Sequence, residues 1–245
     1  MNVAPFTELV SAPEGGRLFS QGRQAWLSDC APSGRMRLDA LARWLQDVAY
    51  ADVEEAGLAD SAVWVVRRTR LRVNRFPRFR ERFEVLTFCS GLGRMWAERR
   101  TTISRRGTAM PDVETVALWV HLDPVSRQPC PLTQAELAAY GDAAESRRIR
   151  ARLRHSGPDG VQRQRSWTFR ATECDVADHI NNAAYWQPLE EDLLERPDPE
   201  ELDVEIEYRT PAQPGEKLVQ HAGNRMWILG DGGEVHASMI VAAAG

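Results

Sequence analysis

Glu173-Cys174-Asp175-Val176-Ala177-Asp178-His179-Ile180-Asn181-Asn182 runs directly into Ala183-Ala184-Tyr185-Trp186. The stretch sets a carboxylate and an imidazole four residues apart, follows them with two asparagines, and ends in an apolar segment. That order describes a loop turning into a helix N-terminus with acid/base groups gathered at its mouth. Such a mouth can polarise a carbonyl through backbone N–H groups and the helix dipole while a carboxylate activates water.

An earlier stretch has the same shape. Ser28-Asp29-Cys30-Ala31-Pro32-Ser33-Gly34-Arg35-Met36 lies over Thr172–Ile180, cysteine on cysteine, and Val73–Glu81 parallels Glu207–Glu216 around Pro77 and Pro211. Around these anchors the chain runs one programme twice, an internal repeat. In the first half a strand-like run from Leu18 to Leu27 precedes the turn. Leu38, Leu41, Leu45, Val48, Ala49 and Val53 then recur at helical spacing, and Gly57 marks the stop. Strands are predicted over Trp64–Val73, Arg82–Cys89, Met95–Ser104 and Thr115–Leu122, separated by glycines and prolines. In the second half a strand over Ser166–Ala171 leads to the turn and to a predicted helix from Ala183 to about Arg196. Strands follow over Asp203–Arg209, Lys217–Ala222, Met226–Leu229 and Val235–Val241. One helix followed by several antiparallel strands, twice, is an α+β layout. Gln134–Tyr140 reads as a helix between the halves, and Ser156-Gly157-Pro158-Asp159-Gly160 as a linker. The expected division is 1–133, a linker with a basic segment over 134–164, and 165–245.

Composition narrows the function. With 43% hydrophobic and 27% charged residues the chain is an ordinary globular protein with a real core. The net charge of −4 gives no support to nucleic acid as the partner. No apolar run is long enough to span a bilayer, and Met1–Glu8 has neither the basic nor the apolar part of a signal peptide, so a cytoplasmic location is expected. Cys30, Cys89, Cys130 and Cys174 form no C-x-x-C pair and read as small buried residues. No metal or other cofactor is implied.

Asp175-x-x-x-His179-Ile180-Asn181-Asn182-x-x-Tyr185, with Pro211-x-x-x-Gly215-Glu216 after it, resembles the D-x-x-x-H-V-N-N-x-x-Y and P-x-x-x-G-D/E signatures of hotdog-fold thioesterases. Val116–Asp123 followed by Arg127-Gln128-Pro129 is similar to the S-x-W-V-x-x-D…R-x-P stretch of the acyl-ACP thioesterase family. The resemblance implies a tandem (double) hotdog, each half a long central helix wrapped by a curved antiparallel sheet. It implies hydrolysis of a fatty acyl thioester on acyl carrier protein or coenzyme A, by a monomer built as a pseudo-dimer or by a homodimer. Two positions depart from the family pattern: Ala177 stands where an asparagine is usual, and Tyr208-Arg209 is followed by Thr210-Pro211 instead of leading to a glutamate.

Asp175 is the candidate catalytic group, as a general base on water or as a nucleophile giving an anhydride; the alternative is a helix cap. His179 is its candidate partner, to orient Asp175, donate to the carbonyl or protonate the leaving thiol. Asn181 and Asn182 are expected to cap the helix and leave backbone N–H groups facing the oxyanion. Tyr185 and Trp186 are expected in the core or along an acyl tunnel. In the first half Ala31 and Arg35 occupy the places of Asp175 and His179, so one site per chain is expected. The arginines at 67, 68, 70, 72, 75, 78, 80 and 82, with those of 147–154, read either as a surface for an acidic carrier or pantetheine phosphates or as a solvated face. Two other functions fit the same residues, a non-catalytic acyl-thioester binding protein and a hotdog dehydratase.

Overall fold

The computed structural model describes residues 6–108 and 110–242; Met1–Pro5, part of the segment read for a signal peptide, lie outside them. Its elements in chain order are β1 (Leu18–Gln24), α1 (Leu38–Glu55), β2 (Val63–Val73), β3 (Arg82–Leu92), β4 (Trp96–Arg105), β5 (Val113–Leu122) and α2 (Gln134–Tyr140). After them come β6 (Arg163–Phe169), α3 (Gln187–Leu194), β7 (Leu202–Tyr208), β8 (Gly215–Ala222), β9 (Arg225–Leu229) and β10 (Val235–Val241). The ten strands make one antiparallel sheet in the order β1-β3-β4-β5-β2-β7-β10-β9-β8-β6. Read from either edge inward the order is the same: first strand of the half, third, fourth, fifth, second. The halves join where β2 pairs with β7.

That join has a charge register. Arg68 lies opposite Glu207, Arg70 opposite Glu205 and Arg72 opposite Asp203. Opposite charges directly across an antiparallel pair favour this register over a slipped one.

The helices cross the inner face. The spacing of Leu38, Leu41 and Val48 puts all three fully inside, each contributing about 1.5–3 kcal/mol relative to exposure. α1 ends in a Schellman motif: Gly57 has φ +71°, its N–H reaches the Glu54 carbonyl and the Leu58 N–H the Val53 carbonyl, a geometry glycine adopts without steric cost. The helix expected from Ala183 to about Arg196 is different. It is a 3-10 turn over Ala184–Trp186 and an α-helix of only eight residues. Pro188 has no N–H to give the Ala184 carbonyl, and its ring opposes that carbonyl, so a continuous α-helix cannot form there. The second half thus has a short helix where a long one was expected. One apolar core runs through both halves, from Leu41, Val85 and Ile103 to Val204, Ile206 and Met239. Of the cysteines, Cys89 is buried, whereas Cys30, Cys130 and Cys174 are half-buried free thiols. Among the described residues no helix is long and apolar enough to cross a membrane.

The outer face of the join is covered by chain, not by solvent. The segment read as a linker lies across it: the Arg154 and His155 N–H groups donate to Glu207, Arg68 donates to the Arg152 carbonyl, and Arg147 pairs with Glu98. Residues near the N-terminus join in, with the Thr7 N–H and hydroxyl donating to Glu205 and Arg100 donating to the Val10 carbonyl. Arg68 and Arg100 are buried and Arg70 is paired with Asp203, so these three belong to the covered join, whereas Arg72, Arg78, Arg80, Arg82, Arg148, Arg150 and Arg152 are exposed.

Burial alone would raise the Glu205 carboxyl, but the His155 imidazole at 3.5 Å, hydrogen bonds from Thr7 and the charge of Arg154 outweigh it and hold the carboxyl at about 2. A depressed carboxylate adds stability that is complete above its unfolded value of 4.5 and is lost as pH falls toward the folded one. Glu205 is therefore expected to contribute on the order of 3 kcal/mol at neutral pH. Denaturant unfolding measured from pH 7 down to pH 2 checks this: Glu205→Gln should flatten the acid loss below pH 4.5, and an unchanged pH slope would count against it.

Candidate active site

The loop before α3 is closed by its own backbone. The Asp175 N–H donates to the His179 carbonyl at 3.0 Å, the Asp178 N–H to the Asp175 carbonyl at 3.0 Å, and the Asn181 N–H to the Glu173 carbonyl at 2.8 Å. Asp178 supplies the left-handed corner at φ +61°, a conformation aspartate tolerates better than most residues. The loop before α1 repeats each bond 144 positions earlier: Ala31 to Arg35 at 2.7 Å, Gly34 to Ala31 at 2.8 Å, Arg37 to Asp29 at 2.9 Å, with Gly34 at φ +82°. The two backbones are therefore alike, and the side chains differ.

In the second loop Asp175 is half-buried. Its Oδ1 accepts the Ala177 N–H at 2.9 Å and its Oδ2 accepts the Asn181 Nδ2 at 3.1 Å. Asn181 also accepts the Ala183 N–H at 2.9 Å, so one amide ties the carboxylate to the start of the helical segment. His179 is half-buried, and among the described residues its ring has no hydrogen-bond partner; only its carbonyl is engaged. The expected Asp175–His179 pair is not joined by a hydrogen bond here. Among the described residues the His179 and Asn182 N–H groups meet no acceptor.

Tyr185 and Trp186 are fully inside. The Tyr185 hydroxyl accepts the Ala212 N–H at 2.8 Å, and burial pushes its phenol up to about 12. Trp186 Nε1 donates to the Tyr208 hydroxyl at 3.0 Å, and that hydroxyl donates to the Asn182 carbonyl at 3.2 Å. Sequence reading passed over Tyr208 as a site residue, although it lies in the quoted repeat; its strand position gave no sign that its hydroxyl would hold the loop.

Asn182, Trp186 and Tyr208 line a cavity of about 30 Å³, whose other wall is the first half: Ala42, Leu45 and Gln46 of α1 with Thr69, Thr101, Thr115 and Ala117. A second cavity of about 60 Å³ follows along α1 past Ala49, Tyr50 and Val53. Arg99 and Trp119 line both. The two thus form one interrupted channel beneath α1, leading away from the loop. Asp175 and His179 do not line it; Asn182 carries the connection.

At the corresponding place in the first half the mouth is shut. Arg35, where His179 would stand, is 0% exposed. Its Nη2 donates to Glu190 Oε1 at 2.6 Å and its Nε to Asp198 at 3.0 Å, while Phe76 stacks on the guanidinium. Glu190 Oε2 also accepts the Leu38 N–H at 2.9 Å, capping α1 from the other half.

His155, Glu205 and Glu207 bring potential ligand atoms within 4.8 Å of one another. Arg68, Arg154 and Arg209 face the same carboxylates, so a cation there would meet guanidinium charge. The cluster is an ion-pair knot holding the outer strap.

The fold is one shared with solved thioesterases of the hotdog type. The chain superposes on the putative oleoyl thioesterase of Lactobacillus plantarum with a TM-score of 0.76, at 17% identity and covering 93% of this chain and 96% of that one. It superposes on the 12:0-ACP thioesterase of Umbellularia californica with a TM-score of 0.73, at 17% identity and covering 94% and 98%. The family model described as the acyl-ACP thioesterase N-terminal domain matches residues 18–140, just over half the chain. The protein belongs to the acyl-ACP thioesterase family. An uncharacterised protein of Mycobacterium tuberculosis is 27% identical over 212 residues, 86% of this chain and 84% of that one. A chloroplastic acyl-[acyl-carrier-protein] hydrolase of Cuphea viscosissima is 24% identical over 224 residues, 80% of this chain and 52% of that one.

Removing one member of a buried ion pair strands the other, at about 3–5 kcal/mol. Arg35→Met is expected to cost that much in denaturant unfolding, and Arg35→Met/Glu190→Leu is expected to recover part of it. A double variant as unstable as the sum of the single ones would show the pair to be uncoupled.

Proposed function

We propose that the chain hydrolyses fatty acyl thioesters carried on acyl carrier protein or coenzyme A, with Asp175 as the general base or nucleophile. On this reading residues 1–133 form a non-catalytic hotdog, 134–164 a connecting strap, and 165–245 a catalytic hotdog. The observation that carries it is the tie from the Asp175 carboxylate through Asn181 to Asn182 at the mouth of the channel. Family membership supports thioester hydrolysis in general, and the sealed mouth at Arg35 favours one site per chain.

The acyl chain would lie in the channel beneath α1 with its thioester carbonyl at Asn182. Asp175 takes a proton from water, the water oxygen bonds to the carbonyl carbon, and negative charge moves onto the carbonyl oxygen. The uncommitted Asn182 N–H is the nearest candidate to hold that charge. Collapse expels the thiolate, which gains the proton held by Asp175, directly or relayed through His179 or solvent, and Asp175 is ionised again. Direct attack by Asp175 through an anhydride uses the same placement. A second reading, acyl-thioester binding without turnover, is favoured by one observation: the His179 ring has no hydrogen bond to Asp175.

Asp175→Asn keeps the size of the side chain and removes its basicity. It is expected to lower kcat by about 10²–10⁴ with melting unchanged, measured over a panel of acyl chain lengths on both carriers. Undiminished hydrolysis would remove Asp175 from the mechanism. Tight binding by the native protein without turnover on any member of the panel would establish the second reading.

A further inference from the structure

The far part of the channel is apolar over most of its wall, with Ala49, Val53, Leu92 and Leu132. Besides the charged Glu98, Arg99 and Glu136 on that wall, two aromatic side chains bring buried polar atoms to it. Tyr140, the last residue of α2, is 7% exposed, and its hydroxyl has no hydrogen-bond partner among the described residues. Trp119, on β5 where the two cavities meet, has a buried Nε1 that is equally unpartnered. Both residues line the cavity.

Arg99 is the charge that stands against Tyr140, and a guanidinium can only donate, so the phenol proton is left without an acceptor. Arg99 stacks with its guanidinium carbon 5.5 Å from the Tyr140 ring centre, but its Nη1 is engaged by Asp52 at 2.6 Å and Thr87 at 3.3 Å. Glu136, on the same wall, accepts from Thr133 and Ser61 and meets His121 Nε2 at 3.1 Å. The contrast lies at the other end of the channel, where Tyr208 and Trp186 both have partners. Buried polar atoms are ordinarily paired, and an orphan calls for a ligand or another explanation. Burial raises the Tyr140 phenol, so it remains a neutral donor near pH 7. An indole N–H can only donate. What would satisfy both is an acceptor oxygen in the middle or distal part of a chain that is otherwise hydrocarbon.

Resting on the proposal that an acyl chain occupies this channel, we propose that the preferred acyl group is oxygenated, bearing a hydroxyl or keto oxygen that meets Tyr140 and Trp119. A plain alkyl chain of the same length leaves both donors unpaired, whereas the oxygenated chain pairs at least one. Sites with polar groups placed for a substrate oxygen discriminate strongly against the analogue lacking it.

The test compares acyl-CoA thioesters of matched length, unsubstituted or carrying a hydroxyl or keto oxygen at successive positions along the chain. The native protein is expected to favour one oxygenated position by at least about tenfold in kcat/KM. Tyr140→Phe and Trp119→Phe, each keeping an aromatic ring, are expected to shrink that ratio several-fold. No preference at any position overturns the proposal, and so does a Tyr140→Phe variant that slows both substrates equally. Non-hydrolysable acyl-CoA thioethers, measured by calorimetry, separate this from the proposed activity. A binding preference for the oxygenated thioether without thioester turnover would sink the hydrolase reading and leave the oxygen site standing. Turnover without either preference would do the reverse.

Discussion

The pairing of β2 with β7 is the constraint on which the rest depends. It makes two five-stranded halves into one sheet and sets each half's loop against the other half's inner face. The three cross-strand pairs, Arg68 with Glu207, Arg70 with Glu205 and Arg72 with Asp203, show how the register is chosen. The ion pairs that form among them, Arg68 with Glu205 and Glu207 and Arg70 with Asp203, add little net stability, because desolvation offsets most of their attraction. Their effect is on alternatives: a slip by one residue would turn the charges into the apolar core and Val204 and Ile206 out of it. The strap from Arg147 to His155 lies over these charges and fills the hydrogen bonds that the strands leave open. A segment with the composition of a linker is held down because the face beneath it cannot be left dry and unpaired.

Given that join, the two mouths of the sheet are equivalent in backbone and opposite in chemistry. The loops before α1 and α3 make the same hydrogen bonds 144 residues apart, yet one presents Arg35 and the other His179. Arg35 crosses the join to Glu190, and Glu190 in turn caps α1 through the Leu38 N–H. The same contact closes one mouth and stabilises the start of the longest helix. Opposite it, Pro188 breaks the second helical segment, and the two cavities lie along α1. The first half thus supplies most of the channel wall, and the second supplies the loop together with Asn182, Trp186 and Tyr208.

Much of this was legible in the sequence, and for identifiable reasons. The cysteine register of Cys30 on Cys174 found the repeat, because a closed loop needs its small and turn-forming residues at fixed offsets. Period-two patterning located the strands to within a few residues. Patterning does not carry partners across long separations. The arginines of β2 looked like a surface because alternation on an edge and alternation facing a buried strap give the same sequence. Only the matching Asp203, Glu205 and Glu207 carried the difference, and reading the two segments against each other would have shown it. The break at Pro188 was visible in principle, since a proline without an N–H opposes the carbonyl four residues earlier. The role of Tyr208 was not: it depends on where a loop from another part of the chain comes to rest.

The loss of an amide at Ala177 bears on whether the site still works. Where a side chain at that position could have held the carboxylate, the backbone does so here. Asp175 Oδ1 takes the Ala177 N–H, a bond no side chain is needed to make, and Oδ2 takes Asn181. A carboxylate offers about four acceptor positions, and two are used, so the group is oriented and still free to accept a proton from water. On the proposed mechanism the alanine therefore costs the carboxylate none of its orientation, and substrate choice is expected to be read along the channel wall, where Trp119 and Tyr140 stand.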